Sequence, residues 1–153
     1  MSLHALLERG IRGALAEQEG QLEAYVAERE LEPETVVHLR QALEALPGLL
    51  VALDGAIYSP EVPVHARDTF SQVVRYLLLE DDLVPSRDDR VLVGMLDDVY
   101  LLHRAAQELR AHIAGVDFRS IDGGAALLAH VLPSEVVTLL DDHLAAVVGV
   151  SES

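Results

Sequence analysis

A chain of 153 residues suits one domain, and at that length folding buries roughly 70% of the surface the open chain exposes, enough for a core without covalent staples. It has no cysteine, and all eleven basic residues are Arg, which excludes disulfides, thiolate nucleophiles, cysteine-bound zinc and iron–sulfur clusters, Schiff-base lysines and the phosphate-loop lysine. The net charge of −15 repels DNA, RNA and anionic lipid, so nucleic acid is not an expected partner, whereas a basic protein surface or a divalent cation is electrostatically compatible.

The hydrophobic half of the composition is mainly Leu, Val and Ala, which favours helices. Leu7, Ile11, Ala14, Leu22 and Tyr25 predict a first helix from Leu3 to Arg29, weakened by Gly10, Gly13 and Gly20. Met1 to Gly13 lacks the basic start and apolar run of a secretory signal. Pro33 suits a first helical turn, and Val36, Leu39, Leu43, Leu46, Leu50 and Leu53 follow it at steps of three and four. Pro47 falls inside that stripe, where it either kinks one helix or opens a second. Asp54 breaks this central apolar run and Asp141 and Asp142 break the C-terminal one, so no membrane span is expected.

Tyr58 to Pro63 reads as an irregular connector, followed by a helix from Val64 to Leu79. The stretch Glu80 to Arg90 holds five acids and Pro85 and predicts a turn. Leu92, Met95, Val99, Leu102, Ala106, Leu109 and Ile113 then predict a long helix from Arg90 or Val91 to Gly115, the expected central element. Two last helices, Ser120 to Val131 and Ser134 to Val148, are divided by Pro133, and Ser151 to Ser153 read as a disordered tail. No segment keeps the period of two that a strand requires. The expectation is a single all-α domain over residues 1–150, a helical bundle or orthogonal array of six to seven helices.

Asp98 shares a side of the central helix with Gly94, Leu101, Leu102 and Ala105, whereas Asp97 points to the polar side. A core-facing carboxylate needs a partner, and the turn at Leu83 to Arg90, Arg75, Tyr76 or Arg87 could supply one. Tyr76, the run Asp82-Leu83-Val84-Pro85, Gly94 with Leu96-Asp97-Asp98, and Tyr100 together resemble the YkvA-like family, a bacterial domain of unknown function. The resemblance covers Val73 to Ala106 and implies a compact helical hairpin without an established activity. Val84 stands where the family has Ile, Ser86 where it has Asp, and the spacing from Pro85 to Gly94 is longer than the family's.

Asp82, Asp97 and Asp98, with His103 nearby, could hold a divalent cation, but one Asp tethering the turn while the other is solvated is the simpler reading. Glu34 with His38 and Glu108 with His112 read as surface pairs four residues apart, since the dimetal bundle signature needs a spacing of three. Asp141-Asp142-His143 reads as solvated, and Gly123-Gly124 as flexibility at a helix start. No Ser stands in a nucleophile elbow. By elimination the expected function is a non-enzymatic binding or scaffolding module, cytoplasmic, without a cofactor, with a protein partner or self-association through an exposed Leu/Val stripe. The alternative is a divalent-metal-binding protein or metal-dependent hydrolase built on Asp82, Asp97, Asp98 and His103. An acidic mimic of nucleic acid is a third reading, disfavoured by the scatter of the carboxylates.

Overall fold

The structure, a computed structural model, describes residues 3–17, 20–78 and 91–152. Among them run seven helices and no strand: α1 (Leu3–Glu17), α2 (Gly20–Glu28), α3 (Thr35–Ile57), α4 (Val64–Leu78), α5 (Val91–Glu108), α6 (Phe118–Val131) and α7 (Ser134–Glu152). The three-and-four spacing of aliphatic side chains accounts for this all-α architecture, because each stripe must face another helix to leave water.

The helix α5 is the centre, packing against every other helix. Its Leu96, Val99, Leu101, Leu102, Ala105 and Ala106 are wholly buried. Burial of each such leucine stabilises the fold by about 1.5–3 kcal/mol relative to exposure. Around it, α1 and α2 lie on α3, and α4 pairs with α7.

Several helix boundaries differ from the sequence expectation, and of the two alternatives left open at Pro47 the structure has one helix. The described part of the first predicted helix forms two, α1 and α2, with Gly20 opening the second. The helix α3 passes through Pro47 as a single element. Leu43, Leu46 and Leu50 are buried on both sides of the proline, so packing holds the helix together across its missing backbone donor.

The helix α5 ends at Glu108 rather than Gly115. Leu109 N–H is shared between the Ala105 and Ala106 carbonyls, and Arg110 and His112 donate three residues back, to Gln107 and Leu109. That tightening closes the last turn, and Gly115, at φ 77°, adopts the left-handed conformation open to glycine. Leu109 and Ile113 stay buried, so the apolar period outlasts the helix that it was taken to mark.

The helix α7 continues to Glu152, beyond the expected end at Val148 and into the segment read as a tail. At the front of α6, Asp117 accepts a hydrogen bond from the Ser120 N–H at 3.2 Å and starts the helix at Phe118. Among the described residues, α3 is the one helix long and apolar enough to cross a membrane, a candidacy that the sequence reading did not give it. Its inner stripe, Leu39, Leu43, Leu46, Leu50, Leu53 and Ile57, lies in the core.

Candidate functional site

Of the residues singled out in the sequence, Asp82 and Pro85 lie outside the described residues, as do the turn amides and Arg87 that were among the candidate partners of Asp98. Gly94 is exposed near the start of α5, with open space where a Cβ would stand. Asp97 and Asp98 are both half-buried, so neither the core-facing position expected for Asp98 nor a solvated Asp97 describes them. Both are engaged by neighbours. Leu101, Leu102 and Ala105 of that predicted face are buried, but Gly94 at its end is exposed, which places Asp98 toward the rim of the face.

The polar group inside α5 is His103, at 8% exposure. Its Nδ1 lies 2.7 Å from the Val99 carbonyl one turn back, so Nδ1 carries the proton and donates it. The ring edge with Nε2 lies against Gly124 of α6, where an added Cβ would stand 2.5 Å from Nε2 and 2.6 Å from Cδ2. Burial pushes the His103 pKa down, and the Val99 hydrogen bond offsets this in part. The imidazole is thus held neutral between two helices. Gly124 lies in the second turn of α6 and serves as space for His103, which replaces the reading of helix-start flexibility.

A polar seam joins α5 to α6 and α7. Asp141 Oδ1 accepts from the Tyr100 hydroxyl at 2.8 Å and from Arg104 Nε at 3.2 Å. Arg104 Nη1 donates to Gln107 Oε1 at 2.7 Å, Gln107 Nε2 donates to Asp122 Oδ1 at 2.8 Å, and Arg110 pairs with the same Asp122 oxygen. Burial, together with the Asp141 hydrogen bond and charge, pushes the Tyr100 pKa up to about 12. Its hydroxyl is a fixed donor, unsuited to act as a base at neutral pH.

Asp141 therefore ties two helices together, and His143, two residues further along α7, sets its ring 5.1 Å from that of Tyr76 on α4. His143 Nε2 is buried without a hydrogen-bond partner among the described residues, and burial pushes its pKa down. Asp142 is the one member of that triplet that is exposed, which corrects the reading of all three as solvated. Glu108 pairs with Arg104, and His112 sits past the end of α5 with its ring edge-on to His65 at 5.1 Å, so the Glu108/His112 helix pair does not form. Among the described residues no three His, Asp or Glu side chains gather as a metal ion would require.

An opening with an apolar floor lies elsewhere, between α1 and α3. It encloses about 590 Å³ over Ile11, Leu15 and Pro47, with Glu8–Arg12 and Arg40–Glu44 ion pairs along its two banks. Beyond it the outward side of α3 continues the surface, with Val37 55% and Val51 50% exposed and Gly48 on the shared edge. The helical period explains this side: between the buried leucines, the exposed positions carry Val37, Ala45, Gly48, Val51, Ala52 and Gly55, interspersed with the polar His38, Gln41, Glu44 and Asp54. Sequence reading followed the inner stripe and passed over the outer one, although its spacing of three and four was present in the same segment. No family model, curated protein or solved structure matches the chain.

Proposed function

We propose that this chain is a non-enzymatic helical binding or scaffolding module that associates with itself through an aliphatic surface. The observation supporting the reading is the outward side of α3. Only a third of its most apolar stretch is buried, and two large aliphatic side chains on it, Val37 and Val51, are half in water. An apolar helix face left open beside a strongly acidic remainder suits a protein that buries area in a partner yet repels indiscriminate aggregation. The titratable groups in the interior have structural roles: His103 spaces two helices, and Tyr100, Arg104 and Asp141 bind one helix to another. A cysteine-free chain also fits the reducing cytoplasm.

Sedimentation velocity across a concentration series tests the proposal. A species of twice the chain mass growing in with concentration is the expected result, and monomer throughout, up to the solubility limit, would remove self-association from consideration.

A further inference from the structure

The outward side of α3 matches a second copy of itself in one orientation. Centred on Gly48, an antiparallel pairing of two α3 helices sets Val51 against Ala45, Gln41 against Gly55 and Glu44 against Ala52, with Gly48 facing Gly48. All of these residues are exposed, and a Cβ at Gly48 or Gly55 would meet nothing within 4 Å. At each step a longer side chain lies over a shorter one, the size matching that close helix packing needs. A two-fold axis repeats each of these pairs, so one match is made twice.

Charge selects the same orientation. Glu44 is the one carboxylate among these positions, and Arg40 already holds it at 3.3 Å. In the antiparallel pair the two Glu44 residues stand about 12 Å apart along the axis, farther than the roughly 8 Å over which physiological salt leaves charges interacting. Parallel pairing in register would bring Glu44 against Glu44 and Val51 against Val51. A basic partner finds little to bind on this side. A bilayer would have to take up Glu44 and the exposed Asp54 against a net charge of −15.

We propose that the chain forms a two-fold dimer in which α3 packs antiparallel on α3 of a second copy, crossing at Gly48. The proposal rests on the self-association argued above and adds its surface and register. The absence of native cysteine makes the test direct, because one introduced thiol reports one position. Under mild oxidation with copper phenanthroline, Gly48→Cys is expected to give a covalent dimer. Val37→Cys gives roughly tenfold less, since its two copies would stand about 33 Å apart, far beyond disulfide reach.

Circular dichroism of each variant reports whether the fold is kept. If Gly48→Cys loses it, the Ala45→Cys, Val51→Cys double variant tests the same register. Equal crosslinking at positions 37 and 48 would overturn the antiparallel crossing. A dimer by sedimentation that crosslinks at none of these positions would overturn the α3 surface while leaving self-association standing, and a monomer would overturn both. Flotation of the unmodified chain with neutral phosphatidylcholine vesicles would assign this side of α3 to lipid and also overturn the dimer.

Discussion

His103 shows how one side chain couples the interior to pH. Burial lowers its folded pKa below the ordinary 6.5, so the folded state prefers the neutral ring. The stability this contributes is present above pH 6.5 and is lost as pH falls toward the lower folded value, because the unfolded chain then binds a proton that the native one refuses. His143 is lowered by burial and adds with the same sign. The thermal midpoint is therefore expected to drop between about pH 7 and about pH 5.5. That drop should be smaller in His103→Gln and smaller again with His143→Gln added; an unchanged slope in the double variant would show that neither ring is responsible. His103 was visible in the sequence as a histidine near two acids and was weighed as a metal ligand. Its real surroundings, the Val99 carbonyl and a glycine on another helix, depend on an α5–α6 contact that spacing along one helix does not contain.

The pair Gly123-Gly124 separates two effects that the sequence shows as one. Both are helical in α6, but a Cβ at Gly123 meets nothing within 4 Å, whereas at Gly124 it meets the His103 ring. Gly123→Ala should therefore stabilise the protein by about 0.5–1 kcal/mol through helix propensity, and Gly124→Ala should destabilise it by about 1–3 kcal/mol through overpacking. Chemical denaturation of the two variants checks both signs, and equal behaviour would deny the close approach of α5 and α6. The same contrast governs element ends. The Asp117 cap of α6 was available three residues before Ser120 and was missed, whereas the early end of α5 was not readable, because Leu109 and Ile113 keep the apolar period after the backbone has turned.

Across the whole molecule, 26 acidic residues against 11 basic ones make long-range repulsion a general cost of compaction and of pairing two copies. Sodium chloride screens that repulsion more than it weakens burial of the aliphatic core. Raising the salt from low to about 0.5 M is expected to raise the thermal midpoint and to increase the dimer fraction in sedimentation. A dimer that salt dissociates would require ion pairs at its interface, contrary to the aliphatic α3 surface. Exposed aliphatic side chains stand singly at Leu6, Val64 and Leu139, whereas Val37 and Val51 share one side of one helix.

The all-α class, the central place of α5 and the connector at residues 58–63 were legible because each follows from short-range pattern: aliphatic spacing, proline and glycine. The continuity of α3 through Pro47, the seating of His103 against Gly124 and the tie from Asp141 to Tyr100 and Arg104 were not. Each of these joins residues from different helices or depends on burial supplied by another helix. A one-dimensional period states which side of a helix must leave water, but not which neighbour covers it, and the neighbour sets whether a proline is tolerated, a histidine is neutral or an aspartate is bound.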